Sequence, residues 1–74
     1  MNILDIENGR WVKIVGFRGG RCLEMRLSQM GFLPGNKLRV IRSAPFKGPL
    51  LIEVEGREIV LGRGVARHVL VENT

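Results

Sequence analysis

The chain has 74 residues, a formal net charge of +5 and one cysteine, and 45% of its residues are hydrophobic. A domain of this size buries only about 60% of the surface that its unfolded chain exposes, so a deep substrate pocket is not expected. No apolar run approaches the roughly 18–20 residues that cross a bilayer, and the first residues lack the basic and apolar regions of a signal peptide, so none is expected. A lone cysteine cannot form an intrachain disulfide, which is typical of a protein of the reducing cytoplasm.

The positive charge is concentrated in residues 10–47, which hold nine Lys or Arg against one acid, Glu24. A basic segment of this kind suits nucleic acid, an anionic membrane surface or an acidic protein partner. The alternative is an ordinary surplus of solvated charge, because arginines that are divided among several strands need not form one patch.

The first elements are a capping turn and a strand. Residues 2–8 combine isoleucine and leucine with acidic residues, and they predict a short turn over one end of the core. Residues 10–16 alternate between apolar and polar positions and predict the first strand, with Val12 and Ile14 facing inward. A helix is expected from near Arg21, although no Ser, Thr, Asp or Asn caps its start.

The helix is predicted to end in a glycine cap. Leu23, Leu27 and Met30 recur at i, i+4 and i+7 and therefore share one face. Gly31 fits the left-handed position after the helix, where a residue with a Cβ costs about 1–2 kcal/mol. Counting from this glycine, Phe32 contacts Leu27 in the arrangement of a Schellman motif. The apolar stripe must hold this short helix against the core, because about ten residues do not form a stable helix alone.

A Pro-Gly turn leads from the helix into the second strand. Pro34 and Gly35 fit the central positions of a type II turn, in which proline presets φ and glycine supplies a positive φ. Residues 37–42 predict the second strand. Pro45 and Pro49 bracket a loop, because neither can donate to a sheet ladder.

The last part of the chain predicts a hairpin of residues 50–55 and 57–61, a short helical turn at residues 62–67 and a final strand at residues 68–71. The hairpin turn uses Gly56, either as Glu55-Gly56 or as Gly56-Arg57, and the sequence does not choose between them. Five short strands with one short α-helix between the first two predict a mainly β, closed or nearly closed barrel in a single domain over residues 1–74.

Several pieces of the chain, in this order and spacing, resemble the FeoA family of small cytosolic accessory proteins of ferrous iron uptake. These pieces lie between about Leu4 and Val71 and are Arg26-Leu27, Met30-Gly31-Phe32, Leu33-Pro34-Gly35, Ala44-Pro45-Phe46-Lys47-Gly48-Pro49, Ile52-Glu53-Val54-Glu55-Gly56, Ile59-Val60-Leu61, Ala66 and Val69-Leu70-Val71. The resemblance implies an SH3-like barrel and a role in the transport of iron, a transition metal. It also implies a partner, the FeoB-type membrane transporter with its cytosolic GTP-binding domain.

The residues do not form a recognisable metal site. A structural zinc site needs about four ligands, and iron prefers His with carboxylates, whereas this chain offers one Cys and one His in different elements. We expect Cys22 to lie at the edge of the core and His68 at the entry of a strand. Met25 and Met30 are expected in or near the core rather than on a soft metal. No metal ligand and no cofactor are therefore predicted.

Catalytic motifs are absent as well. Residues 16–22 lie between a strand and a helix but lack the spacing and the Lys-Ser/Thr of a P-loop. Ser28 and Ser43 have no nearby histidine, and Cys22 has no evident base. The sequence therefore predicts a protein that is not an enzyme.

Apolar residues at outward positions indicate how such a domain acts. Trp11 and Leu51 are out of phase with the inward residues of their strands, and Phe46 lies in the loop between two prolines. Large side chains near Arg39 and Arg42 resemble the anchors of protein interfaces. These five residues are predicted to bind a partner, and the alternative is packing against neighbouring loops. For Leu33 we expect packing.

The predicted function is that of a cytoplasmic accessory protein that contacts a FeoB-type transporter and lies at the inner face of the membrane through this partner or through anionic headgroups. One alternative is a contact module like the SH3-like C-terminal domains of metal-dependent repressors. It is disfavoured because the chain, expected to be complete from Met1, has no helix-turn-helix. A second alternative is a small basic nucleic-acid-binding barrel. With one Trp, three Phe and no Tyr for base stacking, specific nucleic acid is not expected.

Overall fold

The computed structural model describes residues 1–74. Its elements are a 3₁₀ helix Ile3–Asp5, β1 Val12–Phe17, α1 Arg21–Gln29, β2 Lys37–Ser43, β3 Leu50–Val54, β4 Arg57–Leu61, α2 Arg63–Ala66 and β5 Val69–Asn73. The strands form one antiparallel sheet in the order β4-β3-β2-β1-β5. The predicted mainly β class and the single longer helix between the first two strands are confirmed.

The sheet is open rather than closed. Strands β4 and β5 occupy its two ends and do not pair with each other. At the β4 end, Arg57 donates a hydrogen bond to the carbonyl oxygen of Met30, just beyond α1, at 3.3 Å. A hollow of about 190 Å³ between α1 and β4 is lined largely by apolar side chains, among them Leu23, Leu61 and Val65. The helix therefore lies beside β4, where a closed barrel would continue the sheet.

The core consists of 14 buried hydrophobic residues, and no polar or charged residue is buried. The strands contribute to it by alternation, because successive side chains point to opposite faces of a sheet. In β3, for example, Leu50, Ile52 and Val54 are buried, whereas Leu51 and Glu53 are only partly buried on the other face. The core thus takes one face of the sheet and leaves the other to solvent.

The predicted glycine cap of α1 is confirmed. Gly31 has φ +99°. The N–H of Phe32 donates to the carbonyl oxygen of Leu27 at 2.9 Å, and the N–H of Gly31 donates to that of Ser28 at 3.0 Å. These are the two hydrogen bonds of a Schellman motif. Leu27 and Phe32 are both completely buried, whereas Leu23 and Met30 are partly buried against the core.

The Pro34-Gly35 turn is also confirmed, and it is attached to β1. Gly35 has φ +94°, and the N–H of Asn36 donates to the carbonyl oxygen of Leu33 at 3.0 Å. Ile14 holds the turn through two backbone hydrogen bonds, one from Gly35 at 2.8 Å and one to Asn36 at 2.9 Å. The cap and the turn therefore continue directly into the sheet.

The register of β3 and β4 decides the hairpin turn that the sequence left open. Val54 pairs with Arg57, which leaves Glu55 and Gly56 as the two turn residues. Their φ values are +49° and +77°. Two consecutive residues with positive φ are the mark of a type I′ turn, whose twist matches that of the flanking strands.

Three expectations about burial are wrong. Cys22 is exposed, and Met25 is 55% exposed. Residues of a helix rotate by about 100° each, so these two side chains lie off the stripe that begins at Leu23. Leu33 is 46% exposed, because it is the first residue of the Pro-Gly turn and points away from the core.

Candidate partner-binding surface

The solvent side of the sheet carries two rows of side chains that run across the strands. The strand register pairs Arg42 with Leu51 and Leu51 with Val60, which makes an apolar row with a basic end. The second row begins at Trp11, just before β1. It runs through Arg39, Glu53 and Glu58, which the register places opposite one another. We call these residues the outer face: Trp11, Arg39, Arg42, Leu51, Glu53, Glu58 and Val60.

Arg39 is held in place from two sides. Its Nε and Nη2 atoms both bind Oε1 of Glu53, at 2.8 and 2.7 Å. Its guanidinium carbon lies 5.1 Å from the centroid of the Trp11 ring. A cation over an aromatic face contributes about 0.5–1 kcal/mol at an exposed site. The ion pair orients Arg39, and its guanidinium lies over the ring of the tryptophan, which remains 41% exposed.

The apolar row lies at the open end of the sheet. Val60 is 63% exposed on β4, and Leu51 beside it is partly buried. Both side chains border a groove of about 360 Å³, which Pro45, Pro49 and Arg42 also line. The groove therefore has apolar walls and one guanidinium.

The loop from β2 to β3 forms the end of this groove. It is fixed at its base, where the N–H of Ala44 donates to the carbonyl oxygen of Pro49 at 2.9 Å, and Arg63 Nε donates to that of Gly48 at 3.1 Å. At its tip Phe46 and Lys47 both have φ +57°. Left-handed backbone costs a non-glycine residue about 1–2 kcal/mol. Phe46 is 100% exposed.

The structure places four of the five predicted binding residues on the outer face and the fifth, Phe46, at the tip of the β2–β3 loop. Trp11 contacts Arg39, Leu51 lies opposite Arg42, and Phe46 lies in the loop that borders the groove. Their role in binding stays a prediction. Sequence reasoning missed Val60, although Ile59 and Leu61 face inward and alternation alone places Val60 outward.

The side chains considered for metal binding do not come together. No group of three or more His, Cys, Asp or Glu side chains is positioned to hold a metal ion. Cys22 is exposed on α1. His68 is partly buried just before β5, and its Nδ1 atom is buried without a hydrogen-bond partner.

The helices of the protein are too short or too polar for any of them to span a membrane.

Comparison with known proteins identifies the family. The family model of the FeoA domain matches residues 1–73. An Fe(2+) transport protein A of Methanocaldococcus jannaschii is 44% identical over 67 residues, which cover 90% of this chain and 79% of that protein.

Solved structures agree with this assignment. A crystal structure of the iron uptake regulatory protein FeoA has a TM-score of 0.87 and 29% identity, covering 97% of this chain and 93% of that one. The FeoA of Stenotrophomonas maltophilia, solved with zinc and described as a prokaryotic SH3 domain protein, has a TM-score of 0.81 and 21% identity, covering 97% and 89%. The latter likeness confirms the SH3-like fold.

The same fold also occurs inside a longer regulator. The manganese-activated repressor ScaR in its apo form has a TM-score of 0.87 and 20% identity, and the match covers all of this chain but 35% of the repressor. At this identity the likeness concerns the fold alone. The family match and the M. jannaschii relative are specific, and from them we conclude that this chain belongs to the FeoA family, which takes part in ferrous iron transport.

Proposed function

We propose that this domain is a non-catalytic, cytosolic accessory protein of ferrous iron uptake that binds the cytosolic GTP-binding region of a FeoB-type transporter. Membership of the FeoA family supports the link to ferrous iron transport. The observation that carries the proposal is the outer face, where exposed apolar side chains lie beside arginines on a rigid sheet.

The outer face has the composition of a protein interface. Aromatic residues and arginine are enriched at such interfaces, and a few of them supply most of the binding free energy. Arg39 lies over the Trp11 ring and restricts it before binding, which reduces the conformational freedom lost when a partner covers the ring. Val60 and Leu51 add apolar area in the other row of the outer face.

Charge favours an acidic partner surface. The domain has a net charge of +5, and complementary charge speeds association and selects the partner. Because Arg39 is already bound to Glu53, Arg42 is the free cation of the outer face. It is exposed at the edge of the groove. We expect it to pair with a carboxylate of the transporter.

The test is a calorimetric titration of the transporter's purified cytosolic region with the wild-type domain and with a Trp11→Ala, Val60→Ala double variant. Interface anchors cost more than about 1 kcal/mol each when truncated, so the double variant should bind at least tenfold more weakly. The matched control is Met25→Ala, Leu33→Ala, since these side chains are 55% and 46% exposed on α1 and on the Pro-Gly turn, outside the sheet. Equal affinities of the two double variants would contradict the proposal.

The wider claim is tested by growth. Deletion of the gene should impair growth on limiting ferrous iron, and the wild-type chain should restore it. The outer-face double variant should fail to restore growth at equal expression, whereas the control double variant should succeed. Growth that does not depend on the gene would contradict a role in iron uptake.

A further inference from the structure

The 45–48 loop holds an aromatic side chain away from the protein. Phe46 is 100% exposed, although the neighbouring groove of about 360 Å³ has apolar walls and could receive a side chain. The backbone at the tip is left-handed, with φ of +57° at Phe46 and at Lys47, and it presents the ring to solvent. A further hydrogen bond, from the N–H of Gly48 to the carbonyl oxygen of Pro45 at 3.1 Å, closes the tip. The loop is thus a preformed protrusion with an apolar end.

The surroundings of the protrusion are cationic. Residues 41–52 include Arg42 and Lys47 and no acidic residue. The next acid along the chain, Glu53, is bound to Arg39. An apolar tip with cations beside it is the arrangement that lies well at a bilayer interface, with the ring among the upper acyl chains and the cations at the phosphates.

We propose that the 45–48 loop docks the domain on anionic lipid bilayers, with Phe46 inserted at the boundary of headgroups and acyl chains and Lys47 at the headgroup phosphates. A second copy of the chain is a poorer occupant, because each copy carries +5 and two copies repel each other. The alternative is that Phe46 binds in a pocket of another protein, and the experiments below distinguish this from binding to lipid. The inference requires only lipid and does not depend on the transporter partnership.

Docking by this loop would also orient the outer face. The loop and the apolar row share the groove that Pro45, Leu51 and Val60 line. A domain anchored through Phe46 therefore holds Val60 and Leu51 close to the bilayer surface, at the height where the cytosolic part of an integral membrane protein begins. Lipid and protein contacts would then act together, since binding to one raises the effective concentration at the other.

The first experiment measures flotation with vesicles of equal parts phosphatidylglycerol and phosphatidylcholine, and with phosphatidylcholine vesicles alone. The wild-type domain should bind the anionic vesicles and not the neutral ones. Phe46→Ala should lower the partition coefficient about tenfold, the effect of losing one buried aromatic side chain. Lys47→Glu should lower it at least about fivefold. Phe46→Ala should fold normally, because the wild-type side chain is fully exposed.

Matched variants distinguish loop docking from diffuse attraction. Lys37→Glu makes the same charge change at the opposite end of β2, and Val15→Ala removes another exposed apolar side chain. Both should stay within about twofold of the wild type, because their sites lie away from the docked loop. An equal loss for Lys37→Glu and Lys47→Glu would mean that net charge alone drives binding and would overturn the proposal.

The second experiment measures insertion. In a Trp11→Phe, Phe46→Trp variant the only indole is at position 46. Anionic vesicles that contain brominated lipid should quench its fluorescence, and binding without quenching would overturn the proposal. If the wild type ignores anionic vesicles while Phe46→Ala weakens binding to the transporter's cytosolic region, the loop is a protein anchor and the lipid proposal is wrong. The outer-face double variant, Trp11→Ala with Val60→Ala, should still bind anionic vesicles. The lipid proposal and the proposed function can therefore fail independently of each other.

Discussion

The backbone N–H of Phe32 donates to the carbonyl oxygen of Leu27 at 2.9 Å, and the side chains of both residues are completely buried. The hydrogen bond between these two residues ends α1, and their side chains attach the helix to the core. Because α1 has nine residues and Leu27 is its one buried residue, the helix depends on this contact. A helix of this length is not stable in isolation.

Leu27→Ala should therefore be strongly destabilising. Truncation of a buried leucine costs about 2–5 kcal/mol, against a total stability of about 5–15 kcal/mol for a typical domain. Urea denaturation monitored by circular dichroism measures the change. Met25→Ala, on the exposed side of the same helix, should stay within about 0.5 kcal/mol of the wild type. A loss below about 1 kcal/mol for Leu27→Ala would show that the cap contact is not important for stability.

Gly31→Val should also destabilise the protein, by at least about 2 kcal/mol. Gly31 has φ +99°, where a β-branched residue is strained, and a Cβ there would overlap the guanidinium of Arg57. The control is Gly64→Ala, since nothing lies within 4 Å of a Cβ at this glycine of α2. That change should be neutral or stabilising by up to about 1 kcal/mol.

Backbone strain and side-chain overlap at Gly31 can be separated. Arg57→Ala removes the overlapping group together with its hydrogen bond to Met30, but it leaves φ unchanged. If strain dominates, Gly31→Val should cost nearly as much in the Arg57→Ala background as in the wild type. Recovery of most of the lost stability in the double variant would attribute the effect to the overlap instead.

Glu55→Asn should stabilise the hairpin by about 0.5–1 kcal/mol. Glu55 is the first residue of the type I′ turn and has φ +49°, a region that asparagine tolerates better than glutamate. Glu58→Asn removes the same charge from β4, where the backbone is extended and asparagine is disfavoured. Thermal unfolding should therefore move to higher temperature for Glu55→Asn alone. A decrease would contradict the turn assignment.

Local structure could be predicted from this sequence because its determinants are close together in the chain. Gly31 with Phe32, and Pro34 with Gly35, carry their backbone conformations in their residue types. Strand alternation likewise identified Val12 and Ile14 as inward residues. These signals need only a few neighbouring residues, and all of them were confirmed.

Features that depend on register could not be obtained in this way. The ion pair of Arg39 with Glu53 joins residues that are 14 positions apart, and a shift of one residue would remove it. Whether the sheet closes into a barrel depends on how strongly it curls, because β4 and β5 must come close enough to pair. The outward position of Phe46 was expected from the loop between two prolines, but the left-handed backbone of Phe46 and Lys47 was not, because neither residue is a glycine.

The contact between Arg39 and Trp11 leads to a last prediction, because Trp11 is the only tryptophan and reports on its own environment. Arg39→Met removes the cation over the ring and the bond to Glu53, so acrylamide should quench the fluorescence more strongly. Glu53→Gln should have a smaller effect in the same direction, since it loosens Arg39 without removing it. Lys13→Met breaks the 3.4 Å ion pair with Glu72 on the neighbouring strands and serves as the control.

A double-mutant cycle of Arg39→Met with Trp11→Phe should give a coupling below about 1 kcal/mol, as expected for an exposed cation–π pair. The larger consequence should appear in binding, because a loosened Trp11 must lose conformational freedom when a partner covers it. Arg39→Met should therefore weaken binding of the transporter's cytosolic region mainly through faster dissociation, with little change in unfolding. Quenching and affinity that are the same in Arg39→Met and in the wild type would show that Arg39 does not position the tryptophan.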